Sequence, residues 1–162
     1  VVERTGVYGV STIWLTGVSG AGKSTAARAI SAELRRRGRA VVELHGDDLR
    51  DVLDDHRFDI ESRRGLAEVY ARLCRLLAEQ GLDVVIATIS LFNAVHEWNR
   101  EHVPGYIEVV LRADPDDRPG ADIVGRDQQA EFPASPDFVF DHFPSEEDVK
   151  MIVDYAMTKE HP

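Results

Sequence analysis

Residues Gly17 to Ser24 read Gly-Val-Ser-Gly-Ala-Gly-Lys-Ser, a complete G-x-x-x-x-G-K-[ST] string. The chemistry of such a string is phosphate capture. Gly17, Gly20 and Gly22 allow positive φ and close backbone approach, so that main-chain N–H groups turn inward onto anionic oxygens. Lys23 adds a point charge for β- and γ-phosphates, and the Ser24 hydroxyl a ligand for Mg²⁺. A glycine-rich turn can carry such residues by chance, so the context decides. Thr12-Ile13-Trp14-Leu15-Thr16 before the loop reads as an apolar strand, and Thr25 to Arg37 after it as a helix. The unpaired N–H groups at a helix start complete an anion site. The string therefore implies a bound nucleoside triphosphate, with Gly17, Ser19, Gly20, Ala21, Gly22, Lys23, Ser24 and Thr25 around it.

Two further stretches carry chemistry. His45-Gly46-Asp47-Asp48-Leu49-Arg50 follows a second strand candidate. At that edge Asp47 can take a proton from an attacking hydroxyl or hold Mg²⁺ through water. Arg50 can clamp an anionic acceptor through paired hydrogen bonds. The bland alternative is that Asp47 or Asp48 only caps the helix that follows. A third strand ends Thr88-Ile89-Ser90-Leu91-Phe92. Ser90 should emerge at the same edge to meet an acceptor or a phosphate, while Phe92 either stacks on a base or packs in the core. His96, Glu97, Glu101 and His102 lack a coherent ligand spacing and read as solvated side chains on a surface helix.

The elements that must position these groups alternate. Strand candidates are 12–16, 40–44, 83–89, 106–111 and 138–140, with helices between them. The stretch 60–80 puts Leu66, Val69, Tyr70, Leu73, Leu76 and Leu77 on one helical face, with Gly81 as the stop. Ser145-Glu146-Glu147-Asp148 carries a capping signal for the last helix. Residues 112–136, rich in Pro, Gly, Asp and Arg, read as an irregular excursion. The expectation is an α/β fold: a three-layer α/β/α sandwich of the phosphate-loop type, with a mostly parallel sheet, formed as one domain over 1–162. Lys+Arg 19 against Asp+Glu 29 gives a net charge of −10, which argues against nucleic-acid or anionic-membrane partners. The single cysteine, Cys74, among leucines, reads as a buried thiol in a cytoplasmic protein. No apolar run has the length of a membrane span, and no signal peptide is read.

In order along the chain stand Trp14-Leu15-Thr16-Gly17, Ser19 to Thr25, Gly46-Asp47-Asp48-Leu49-Arg50, Ile89-Ser90-Leu91-Phe92 and Ala134-Ser135-Pro136-Asp137. Together they resemble the adenylylsulfate kinase family over roughly Ile13 to Asp141. The resemblance implies ATP and Mg²⁺ as cofactors and transfer of the γ-phosphoryl group to a ribose 3′-hydroxyl. It implies Asp47 as catalytic aspartate, with Arg50 and Ser90 as acceptor-binding residues; the residue reading adds Lys23 to the first role and Phe92 to the second. Three departures stand out. The family's Asp-Gly-Asp is His45-Gly46-Asp47, Glu68 aligns with a substrate-contacting arginine, and the family's lid has no counterpart between Pro115 and Asp127. The runs Ala87 to Phe92, His96 to Glu101 and Val124-Gly125 resemble a branch of the same family found beside surface-polysaccharide and natural-product genes. One member of that branch phosphorylates cytidine diphosphoramidate. The expected partners are a small nucleotide-like acceptor and a second copy of the chain. A kinase of a non-nucleotide alcohol and a silent ATP-binding regulatory module remain the alternatives.

Overall fold

A computed structural model describes residues 9–112 and 130–159. In chain order the elements are β1 (Thr12–Thr16), α1 (Lys23–Arg36), β2 (Val41–His45), α2 (Gly46–Leu53), α3 (Ile60–Glu79), β3 (Asp83–Ala87), α4 (Asn93–His102), β4 (Tyr106–Leu111), β5 (Phe138–Phe140) and α5 (Glu146–Thr158). The strands form one sheet in the order β2-β3-β1-β4-β5, and all four pairings are parallel. β1, β3 and β4 are buried along their whole lengths, which explains their near-continuous apolar sequence.

Alternation along the strands splits the core into two layers. Ile13, Leu15, Val85, Ile107 and Val109 face α1 and α5, where Ile30, Leu34, Ile152 and Val153 meet them. Trp14, Val84, Ile86 and Tyr106 face α3 and α4. The expected three-layer sandwich is therefore present. α2 stands at the carboxyl edge of the sheet directly after β2 and buries Leu49 in the α3–α4 layer.

Ser145 caps α5 as its sequence implied. Its hydroxyl accepts from the Asp148 N–H while the Asp148 carboxylate takes the Ser145 N–H. The face of α3 is as expected at Leu66 and Tyr70, which are buried, and at Leu73 and Leu77, which pack against the same layer, but not throughout. Val69 and Leu76 are exposed, and the stripe against the sheet is Ala67, Ala71, Cys74 and Ala78, flanked by Leu66 and Tyr70. Small side chains let the helix axis approach the sheet, so the larger ones are turned to its flanks. Cys74 is fully buried, and burial pushes its thiol pKa up.

The α3–α4 layer also holds charge. The Glu108 carboxylate, 2% exposed, accepts from the Tyr106 hydroxyl at 2.7 Å and from Arg100 at 3.0 Å. Asp137 extends the network by accepting the Glu108 N–H at 2.8 Å and lying 3.6 Å from Arg100. Removing Arg100 would take the guanidinium from a buried carboxylate, which is costly.

Candidate active site

The loop after β1 is shaped by glycine. At Gly17 a Cβ would run into the Leu111 carbonyl oxygen, because β1 and β4 part only just beyond it. Gly20 and Gly22 hold φ of 78° and 87°, conformations that other residues adopt only with strain. Gly22 is the N-cap of α1, no side chain caps that helix, and its first turn contains no acid. Its N-terminal N–H groups and dipole are thus left to an external anion. Lys23 is buried and donates to the Val18 carbonyl at 2.6 Å, folded back along the loop. A cavity of about 400 Å³ opens above, lined by Ser19, Gly20, Gly22, Lys23, Ser24 and Thr25 on one side and by His45, Gly46 and Asp47 on the other. Ala21, buried beneath the loop, shapes the turn rather than lining the cavity.

A second, smaller cavity of about 90 Å³ adjoins it, lined by residues of α2, α3 and the segment after β3, including Arg50, Phe58, Arg63, Tyr70, Ser90 and Phe92. Gly46, Asp47, Thr88 and Ile89 belong to both walls. The two cavities therefore meet at Asp47.

α2 delivers Asp47 to that junction. The N-cap is His45, without a side-chain hydrogen bond, and Asp47 and Asp48 lie within the first turn. The capping alternative for these two acids is thus overturned: the helix starts one residue before them. His45 instead pairs with Glu43 at 2.6 Å on the same face of β2. Tyr70 donates to the Gly46 carbonyl at 3.2 Å, tying the turn to α3.

The segment after β3 is pinned from two other elements and by a hydrogen bond within itself. Thr16 donates to the Ile89 carbonyl at 2.9 Å, the Thr88 and Ser90 hydroxyls meet at 2.8 Å, and His96 Nε2 lies 2.8 Å from the Ser90 carbonyl. His96 is 4% exposed, not solvated as its sequence neighbourhood suggested, because its helix turns that face inward. Burial lowers its pKa, so the ring is neutral at pH 7, with Nε2–H donating to Ser90.

Phe92 is 4% exposed, packed with Trp14 and Val95, and it borders the smaller cavity from within the core. The aromatic ring open to a ligand there is Phe58, 53% exposed with the Arg50 guanidinium 4.7 Å from its centroid. Arg50 also donates to the Asp55 and Arg57 carbonyls, so it holds the α2–α3 connection as well as lining the cavity. Sequence reasoning passed over Phe58, Arg63 and Thr88; their signal was proximity to α2 in space, not in sequence. Glu68 lies elsewhere, beside Trp98 and Ala71 in a separate groove, 3.7 Å from Arg72. Five residues beyond Arg63, it has rotated off the face of α3 that lines the smaller cavity. The lid departure lies at 115–127, outside the described residues.

A divalent cation fits the donor-side cavity in one way. Among the described residues no cluster of three or more His, Cys, Asp or Glu forms a cage. The Ser24 hydroxyl and Asp47 carboxylate share the cavity, which suits Mg²⁺ held mainly by water and phosphate oxygens.

The family model for adenylylsulphate kinase matches residues 9–132. The chain belongs to the adenylylsulfate kinase family. The adenylyl-sulfate kinase of Pseudomonas aeruginosa is 34% identical over 168 aligned positions, covering 91% of this chain and 86% of that protein. The cytidine diphosphoramidate kinase of Campylobacter jejuni is 34% identical over 102 residues, or 63% of this chain and 60% of that protein's length. Among solved structures, the APS kinase of Mycobacterium tuberculosis in complex with AMPPNP and APS superposes with a TM-score of 0.73 at 25% identity, over 90% of this chain and 96% of that one. Among the described residues, no helix is long and apolar enough to cross a membrane.

Proposed function

We propose that the chain is an ATP-dependent kinase that transfers the γ-phosphoryl group to a hydroxyl, a ribose 3′-OH, of a nucleotide-like acceptor. One observation carries the reading: Asp47 stands on the wall common to a phosphate-loop cavity and a second cavity lined by arginine and exposed phenylalanine. A carboxylate at that junction can reach both the acceptor hydroxyl and the transferring group.

The acceptor oxygen attacks the γ-phosphorus, and the bond to the β–γ bridging oxygen breaks. Asp47 takes the hydroxyl proton, and ADP leaves. Lys23 unfolds from the Val18 carbonyl to the β- and γ-phosphate oxygens, a short rotation for a side chain already at the loop. Ser24, and Asp47 through water, would hold Mg²⁺, which would supply charge neutralisation for the transferring group. Backbone N–H groups from Gly20 to Thr25 hold the remaining phosphate charge. Arg50 and Arg63 supply positive charge for the acidic part of the acceptor, and Phe58 a flat face for its base. The enclosed volume takes the reacting end of the acceptor, and the rest lies along Phe58 at the mouth.

Similarity to kinases of adenylyl sulfate and of cytidine diphosphoramidate supports a nucleotide acceptor of this kind. With Glu68 outside the cavity, that substitution weighs on neither of the two. The test is acceptor-dependent ADP release by the purified protein with MgATP and, in parallel, adenylylsulfate, cytidine diphosphoramidate, plain nucleoside diphosphates and a sugar alcohol. Release with one of the nucleotides supports the reading. Release with the sugar alcohol alone, or with none of them despite ATP binding, overturns it.

A further inference from the structure

One large apolar side chain at the rim of the donor-side cavity is left mostly in water. Phe143 is 71% exposed on the connection from β5 to α5, and it borders the phosphate-loop cavity. That connection is held at both ends. The Arg112 N–H donates to the Phe140 carbonyl at 2.9 Å. The His142 ring meets the Asp148 carboxylate at 3.1 Å and stands edge-on to Phe140, 5.7 Å between centroids. The capping box at Ser145 then fixes the start of α5. From this anchored position the Phe143 ring leans on the loop itself: a Cβ built on Gly22 would lie 2.5 Å from its Cδ1 and 2.7 Å from its Cε1.

The loop N–H groups, Lys23 and Ser24 account for the phosphates of a bound triphosphate and offer nothing to its nucleoside. Among the other described residues of the wall, Ala87 lies buried at the end of β3 and His45 is paired with Glu43. Phe143 is the aromatic face left at the rim. We infer that Phe143 is the platform on which the nucleobase of the phosphoryl donor stacks. Leaving a phenyl ring in water forgoes its burial, and stacking of the base recovers it. Stacking reads the flat face of a base and not its edges, so this contact separates nucleoside triphosphates from bare polyphosphate. The inference rests on the reading of this cavity as the donor site.

The experiment measures equilibrium binding of Mg·ATP and of Mg·tripolyphosphate to the wild-type chain, Phe143→Ala and Phe143→Tyr. Phe143→Ala is expected to weaken ATP about tenfold or more, the range for losing one base–aromatic stack, and to leave tripolyphosphate unchanged. Phe143→Tyr, which keeps the ring, should bind ATP like the wild type. ATP binding that is unchanged or tighter in Phe143→Ala overturns the inference, since the ring would then be idle or an obstruction of the cradle. Equal losses for both ligands also overturn it, since the ring would then only support the loop. A wild-type chain that binds neither ligand removes the donor-site reading as well; failure confined to the Phe143 variants removes this inference alone.

Discussion

The two cavities that meet at Asp47 are built from different materials. The donor side is a single run of chain, Gly17 to Thr25, whose ligand-facing groups are mostly backbone N–H. The acceptor side is assembled from side chains on α2, α3 and the segment after β3, which pack together from positions 46 to 92. Backbone cradles tolerate loss of a side chain but not of a glycine; side-chain cavities change partner with a few substitutions. The family resemblance is accordingly carried most densely by the loop, while the departure at His45 falls on the wall opposite it in the same cavity.

Substitutions should separate the two sides. The largest effect belongs to Lys23→Ala, which removes the fixed cation at the developing charge. Turnover should fall by roughly 10³-fold or more, while ATP binding weakens less because the loop N–H groups remain. Single-turnover kinetics with parallel nucleotide titration checks this, and turnover close to wild type would refute it. Asp47→Asn should lower kcat by roughly 10²–10⁴-fold. Because Asp47 caps nothing, the fold should lose at most about 1 kcal/mol, through the helix dipole. Thermal unfolding beside steady-state rates distinguishes the two effects.

A smaller effect concerns the support beneath the acceptor side. His96 is held neutral by burial, its pKa lowered from the ordinary value of about 6.5. Its contribution to stability is therefore present above that value and is lost as pH falls through it towards the lowered one, where the unfolded chain takes up the proton first. Between pH 7 and 5.5, His96→Gln should flatten the decline in stability by up to about 1.4 kcal/mol per pH unit. Denaturant unfolding across that range measures it; parallel declines in both proteins would contradict this role for His96.

How much of this was legible in the sequence follows the same division. The loop, its strand and its helix are consecutive, so local spacing revealed them, and every strand lay within a residue or two of its apolar run. The α3 face was misread only at its margin, because counting large apolar residues favours Val69 and Leu76, whereas close helix–sheet approach selects Ala67, Ala71 and Ala78. Burial of His96 and of Glu108 was hidden for a related reason: polar residues look solvated until a partner such as Arg100 or the Ser90 carbonyl appears from another element. Glu68 shows the converse error, since an alignment register places it at a substrate while five residues of helix rotate it away. Phe58 and Arg63 became site residues only once α2 and α3 were seen to converge.

The separation of donor and acceptor sides is tested most directly at Arg50, which lines the acceptor-side cavity and not the donor-side one. The measurement is the KM for acceptor and the Kd for ATP in Arg50→Ala against the wild type, with whichever nucleotide acceptor supports ADP release. The account predicts an acceptor KM raised about tenfold or more, the loss of a charge-assisted contact, and a Kd for ATP within about twofold of wild type. An ATP Kd that rises as far as the acceptor KM, or an acceptor KM that does not move, would contradict it.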